Sequence, residues 1–482
     1  MQIFLRAGAS FLLLFLLFFS AGAQEKLSPG EFNDDLEQLR GLLKKYYPGL
    51  YYYETPEQFS RRIDSLYTVD SLSVPEAYRR LSLLTSEMQD LHLSTRLPKH
   101  YFNKESGGFP LILRKFGDDF YIHYNQSDDS TLVRGTRIVS IDGVPPLTDF
   151  YRFRTLYGAD FGNPYGKNYY ADRNFPGLYM RWYGKRDSVQ LRYALPGDTL
   201  IRTETMRFLL PKEAMSNLTK RYKNVLRKNF ELERVDSLSR TVKLDITSFK
   251  GKKSFLEFTE NKFRKQLKRS FKQISEDSVQ NLILDLRSNG GGAVVNVHRM
   301  ISYLVNEPFR IYDSVYISRA GFRKIFKPYL GVTALAGRMY LNGKTENGYY
   351  RSYINEKKKL RPVKQYGYSG RLFVLMDGGS YSATTFTISL LKNHDRVIFV
   401  GTPPGGANWG SFAGRFYTTK LARSHVQVNL PLMKLVHSTE GLKHPDFFVQ
   451  PDYWVEQSFN DFLLRKDTPV EFIKQMIRNE RN

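Results

Sequence analysis

Arg371-Leu-Phe-Val-Leu-Met-Asp-Gly-Gly-Ser-Tyr-Ser-Ala383 is an apolar run that breaks at Asp377, turns through two glycines and ends in small hydroxyl residues. An apolar run without alternation fits a strand buried on both faces, the signature of a parallel sheet. A helix to about Asn393 and another strand, Val397-Ile-Phe-Val400, are expected to follow. The same plan occurs upstream. The strand Asn281-Leu-Ile-Leu-Asp-Leu286 runs into a glycine turn within Asp285-Leu-Arg-Ser-Asn-Gly-Gly-Gly292 and then a helix through Leu304. Strands alternating with helices predict an α/β core.

Working outward, residues 209–280 are basic and read as helical apart from one strand, Thr241-Val-Lys-Leu-Asp-Ile246. The Tyr-, Lys- and Gly-rich stretch 310–365 looks like an insertion or lid. Before the core, 108–208 shows short alternating runs, such as Phe120-Tyr-Ile-His-Tyr124 and Val189-Gln-Leu-Arg-Tyr193, separated by turn residues. Within it, Leu132-Val-Arg-Gly-Thr-Arg-Ile-Val-Ser-Ile-Asp-Gly-Val-Pro145 places an alternating strand before the tight turn Asp142-Gly143. That stretch resembles the signature strand of PDZ domains, which take peptides by strand addition; a plain β-hairpin shows the same pattern. Residues 30–106 read as helical. Tyr78, Leu81, Leu84, Met88 and Leu91 make one apolar stripe, and Ser73 and Glu76 have capping-box spacing around Pro75.

Length and composition bound the rest. A chain of 482 residues is too long for one ordinary core. It has no cysteine, which removes disulfides, thiolate metal sites and a cysteine nucleophile together. Arg6 precedes the apolar run Phe11 to Phe19, and Ala21-Gly22-Ala23 offers small residues for cleavage. This predicts a signal peptide over 1–23, the alternative being an N-terminal anchor, for which the run is short. The mature protein is then expected to lack a stable membrane span and to be exported, periplasmic or extracellular. The formal charge of +24 is spread along the chain without a nucleic-acid motif, so solvated basic faces are expected and no nucleic-acid partner.

Three motifs carry chemistry. Glycines in Asp285–Gly292 let backbone N–H groups approach a reacting oxygen, or merely make a tight strand-to-helix turn. Ser380 and Ser382 stand where a strand becomes a helix, so either is a candidate nucleophile or a simple N-cap. His92, one of eight histidines, ends the amphipathic stripe within Asp90-Leu-His-Leu-Ser-Thr95 and is a candidate base; a lone histidine is more often structural.

Together and in this order, the motifs resemble the C-terminal processing (tail-specific) serine peptidases, which include the tricorn core protease. Asp285–Gly292 resembles that family's strand and glycine loop, Ser380-Tyr-Ser-Ala383 its Ser-Ala-Ser-Ala turn, and Pro451-Asp-Tyr-Trp-Val455 a Pro-Asp motif near the C-terminus. The resemblance implies a crotonase/ClpP-like α/β catalytic domain with a PDZ-like β domain and an N-terminal helical domain. The expected division is a signal peptide 1–23, a helical domain 24–107, a PDZ-like domain 108–208, a peptidase domain 209–456 and a C-terminal helix 457–482.

It also implies roles. Ser382 matches the attacking second serine. The best-known branch uses a lysine after it, but Ala407 occupies that register. The tricorn-like branch uses an upstream histidine, which Asp90-Leu-His-Leu resembles, making His92 the base although Leu91 replaces tricorn's serine. Glu440 would orient the histidine, with Asp90 as the rival. Backbone N–H groups of Ala383 and of Gly290 or Gly291 would form the oxyanion hole. Neither metal nor organic cofactor is expected, and the partner would be a protein or peptide substrate. Two other classes remain: an inactive relative that binds peptides or ligands, and an acyl-CoA enzyme on a similar core, which the export signal disfavours.

Overall fold

The computed structural model describes residues 26–102, 106–223, 225, 227–250, 262–310, 312–326, 343–344, 349–351, 359–392, 394–437 and 447–480. The expected signal peptide and Glu440 lie outside the described residues.

The core is a six-stranded sheet. From edge to edge it runs Tyr453–Trp454, Val397–Gly401, Arg371–Met376, Asn281–Asp285, Thr241–Ile246 and Phe230–Asp236, parallel except at the last strand. Asn281–Asp285 is buried at every position, as its uninterrupted apolar pattern requires. Alternate residues serve opposite faces. Leu282 and Leu284 pack with Leu267, Met300 and Phe386 of helices Lys262–Glu276, Val294–Leu304 and Ala383–Leu391. Ile283, Phe373 and Leu375 face Val470, Ile473 and Ile477 of helix Thr468–Asn479.

Three expectations change here. The C-terminal stretch is two helices, Phe459–Leu464 and Thr468–Asn479, broken where Arg465 turns left-handed (φ 57°). The second helix belongs to the core, because without it one face of the sheet would be bare. Phe230–Asp236 is an antiparallel edge strand inside a region read as helical; its apolar residues alternate with charges that suit a half-exposed edge. Part of 310–365 is no separate insertion, since Tyr312–Ser318 pairs with Gln427–His437.

The β domain is a five-stranded antiparallel sheet in chain order: Leu111–Phe116, Asp119–Asn125, Arg137–Ile141, Ser188–Ala194 and Arg202–Arg207. Helices Pro146–Arg154, Pro164–Arg173 and Phe175–Tyr183 interrupt it, which the turn-rich reading of 108–208 did not anticipate. Each carries proline in its first turn. Their phenylalanines, Phe150, Phe153 and Phe175, join Leu113, Phe120 and Ile122 in one core.

In the N-terminal domain the Ser73 capping box forms: Ser73 N–H reaches Glu76 Oε2 at 2.8 Å, and Glu76 N–H reaches Ser73 Oγ at 3.4 Å. Helix Val74–Glu87 then stops at Gln89, whose φ is 54°. His92 therefore lies in a loop beyond the helix rather than on its last turn. The chain continues into Ser94–Arg96, which pairs with Gln427–Asn429 and stitches the N-terminal domain to the sheet that Gln427–His437 forms with Tyr312–Ser318 and Gly410–Lys420. No helix among the described residues is long and apolar enough to cross a membrane.

One charge cluster ties the glycine loop to the last helix. Arg287 donates to Asp285 through Nε (3.0 Å) and Nη2 (2.6 Å), and to Asp467 through Nη1 (2.9 Å) and Nη2 (2.7 Å). Burial pushes the Asp285 carboxyl up, but Arg287 and then Arg227 outweigh it and hold it below the usual range. Arg287→Met should cost roughly 3 kcal/mol in urea unfolding at pH 7, since it strands a buried carboxylate. A depressed carboxyl contributes stability above its unfolded pKa and loses it as pH falls through its folded one. The deficit should accordingly shrink on acidification below about pH 4. An unchanged midpoint at pH 7 would refute the assignment.

Candidate active site

The loops after the two central strands meet because the strands are in flush register, Asp285 opposite Leu375. Ser380 is buried; its Oγ donates to Leu286 O at 2.9 Å and accepts from Asp377 N–H at 3.1 Å. It braces the turn. Ser382 differs. Its backbone sits at φ 57°, ψ −121°, a conformation that costs a non-glycine residue about 1–3 kcal/mol. Although it occupies the N-cap position of helix Ala383–Leu391, its side chain makes no capping bond. Instead Ser382 Oγ lies 3.0 Å from His92 Nε2.

Gly291 makes that geometry possible. A Cβ there would fall 2.8 Å from Ser382 Cβ, Ala383 N and Tyr381 O, and its φ is 91°. Its own N–H is taken by Asn289 Oδ1 at 2.9 Å, while Asn289 Nδ2 donates to Ile246 O at 2.8 Å. Among the described residues, the N–H groups of Gly290 and Ala383 have no acceptor. Of the three expected oxyanion donors, these two are the ones left open.

His92 is 12 % exposed at its side chain and held from several sides. Asn429 Nδ2 donates to its carbonyl at 3.0 Å. Its backbone N–H donates to Asp90 Oδ1 at 2.9 Å, and the same oxygen lies 3.6 Å from Nδ1. The nearer partner of Nδ1 is Tyr381 Oη at 3.1 Å, which in turn donates to Asp160 Oδ1 at 3.0 Å. With Nδ1 protonated, the bonds run Ser382, His92, Tyr381, Asp160. Asp160 also accepts from Leu91 N–H (3.3 Å) and Ala407 N–H (3.5 Å), so the residue in the lysine register contributes only backbone.

The electrostatics favour an imidazolium. Burial works against charging His92, but the bond to Asp90 and the charges of Asp90 and Asp160 outweigh it, and the pKa is raised. Burial, then the neighbouring Asp90, pushes Asp160 up to about 7. Burial followed by the Asp160 charge drives the Tyr381 phenol well up, so it stays a donor. Asp90, His92 and Asp160 bring ligand atoms within 4.8 Å of one another, a spacing compatible with a cation. In this structure both imidazole nitrogens face hydroxyl groups.

Sequence reading missed Tyr381 and Asp160. Tyr381 was visible as the bulky residue between two serines where small ones are expected. Asp160 carried no signal: it sits in a one-turn helix, Asp160–Gly162, that contains left-handed Phe161.

Residues 240–428 match peptidase family S41. No curated protein matches this sequence. Among solved structures, mature CPAF in complex with lactacystin is 17% identical, with a TM-score of 0.69 over 94% of this chain and 99% of its own. A serine-to-alanine mutant of CPAF is 16% identical, with a TM-score of 0.69 over 94% and 98%. At such identities the likeness is one of fold. The matched segment contains both the glycine loop and the Ser382 turn, so the likeness to peptidase family S41 falls on the residues that build this site.

Proposed function

We propose that the chain is an exported serine endopeptidase that hydrolyses peptide bonds through an acyl-enzyme on Ser382, with His92 as general base. The observation that carries this reading is the 3.0 Å contact between His92 Nε2 and Ser382 Oγ, made across 290 residues of sequence. Ser382 attacks the peptide carbonyl as Nε2 takes its proton, and the same nitrogen returns the proton to the leaving amine. Water then repeats the cycle on the ester. The N–H groups of Ala383 and Gly290 receive the oxyanion, Gly291 instead leaving room for Ser382.

Asp90 and the Tyr381–Asp160 couple face Nδ1 and fix its tautomer, while the two carboxylates stabilise the imidazolium. Glu440, the orienter expected from the family resemblance, lies outside the described residues and takes no part in this account. Residues 1–23 would direct export to the periplasm or exterior, and the β domain at 108–208 would receive peptide in a PDZ-like manner.

Ser382→Ala and His92→Ala should each lower peptide hydrolysis by roughly 10⁴-fold or more, because the pair acts as a unit. A fluorophosphonate should label Ser382 in the wild type and scarcely in His92→Ala. Wild-type labelling of Ser382→Ala would sink the nucleophile, and a folded, fully active His92→Ala would sink the base. An inactive binding protein would show neither labelling nor turnover.

Gly291→Ala should abolish turnover and destabilise by about 1–3 kcal/mol, through the left-handed φ and the blocked approach. Retained kcat would mean the two loops do not need this contact.

The pH profile tests the surroundings of His92. A base must be neutral, and a raised pKa moves the acid limb of kcat/KM above about pH 6.5. Asp90→Asn should move the limb down, Asp160→Asn by less. Tyr381→Phe should lower kcat while leaving KM nearly unchanged. A limb that stays put in both carboxylate variants would rule out their role.

A further inference from the structure

The β domain has a second face. Leu113 and Ile122 point into its helix-covered core, so Arg114 and His123 point the other way. There they wall a cavity of about 870 Å³, closed opposite by Phe462, Arg465 and Lys466, and at its end by Ser288 and Asp377–Gly378 of the catalytic sheet. Its volume is that of a ligand site rather than of a packing gap.

Eight Arg or Lys side chains line this space against four Asp or Glu. The acids are largely engaged elsewhere. Asp467 is bound by Arg287; Asp377 accepts from Ser288 N–H (2.8 Å) and Gly379 N–H (2.9 Å). Asp172 accepts from Lys115 N–H (2.9 Å) and pairs with Arg173 (3.4 Å). Among the described residues, Arg114, Arg134 and Arg465 have no ion-pair partner, and buried Arg114 Nε and His123 Nδ1 have no hydrogen-bond partner. Arg134 is held by Phe462, whose carbonyl accepts from its Nε at 2.8 Å and whose ring lies 4.2 Å away.

The titration of the cluster agrees with its geometry. Burial, followed by the charges of Arg114, Arg134, Arg173 and Arg465, holds His123 down at about 2. Burial and then Arg173 lower Arg114 to about 9, with Asp172 opposing. Guanidinium groups gathered in excess of their counter-charges in a partly enclosed space destabilise one another, and a multivalent anion reverses that sign.

We propose that this cavity binds an oxyanion with two or more negative charges, borne by carboxylate or phosphate groups, through Arg114, Arg134 and Arg465. Guanidinium forks suit paired oxygens of either kind. The site is separate from Ser382 and does not depend on its chemistry.

Calorimetric titration of the full chain with inorganic pyrophosphate and with tetraglutamate tests this at low salt. At least one probe should bind and raise Tm. Pyrophosphate alone would point to a phosphate source, tetraglutamate alone to carboxylates. Arg114→Gln with Arg465→Gln should weaken binding at least tenfold, while Tm without probe stays equal or rises as repulsion is relieved. Arg465→Gln alone, which breaks no side-chain hydrogen bond among the described residues, should weaken it about threefold. Exposed Lys212→Gln with Lys220→Gln, a control for the overall charge, should leave it unchanged. Absence of binding by both probes, or equal loss in the lysine control, would overturn the proposal.

Discussion

Between Gly291 and Ser382 there is no room for one more carbon atom. That exclusion shapes the whole site. The two central parallel strands deliver their loops side by side, and the backbone of Ser382 is turned left-handed where they touch. An ordinary N-terminal serine would fold its hydroxyl back onto the N–H groups of its own helix. Here the hydroxyl leaves the helix and the N–H of Ala383 stays open. Strain and the outward-turned hydroxyl come from the same dihedral angle, and Asn289 keeps the opposing loop from relaxing it, through both its amide and its carbonyl.

Much of this was legible beforehand, and the reasons are local. Asn281–Asp285 and Arg371–Met376 are apolar throughout, so burial on both faces could be read directly. The Ser73 capping box lies within one turn of chain and formed as written. Ser382 and His92 could be singled out because each sits in a short motif and the motifs come in a telling order. What stayed hidden depends on distance. Asp160 acts through Tyr381, 221 residues away, and nothing near it in sequence marks it. The helix Thr468–Asn479 has an ordinary amphipathic pattern, and only the sheet shows what its apolar stripe covers. Phe230–Asp236 was masked by the basic residues around it.

Charge is organised in opposite ways in the two cavities. Around His92, two buried carboxylates stand near one imidazole, and the surplus negative charge makes a transient proton on that ring cheap to hold. Across the β domain a half-buried histidine, stacked on Tyr124, has guanidinium groups as its charged neighbours and stays neutral. The same residue type is thus set to accept a proton in one place and denied it in another, by neighbours alone. The Arg287 cluster shows the balanced case, in which each carboxylate has its cation and the result is mechanical, a clamp between the glycine loop and the last helix.

The short pairing of Ser94–Arg96 with Gln427–Asn429 bears on timing. A polypeptide leaving the ribosome N-terminus first exposes its histidine early, its serine much later, and the strand that clamps the histidine loop later still. Asn429, which holds the His92 carbonyl, follows both of them in the order of synthesis. Until that strand joins, the His92 loop lacks its clamp, and contacts of such long sequence separation form slowly. A growing chain therefore carries both His92 and Ser382 before the strand that fixes their meeting exists. The order of the polypeptide itself thus sets when Ser382 and His92 can be held together.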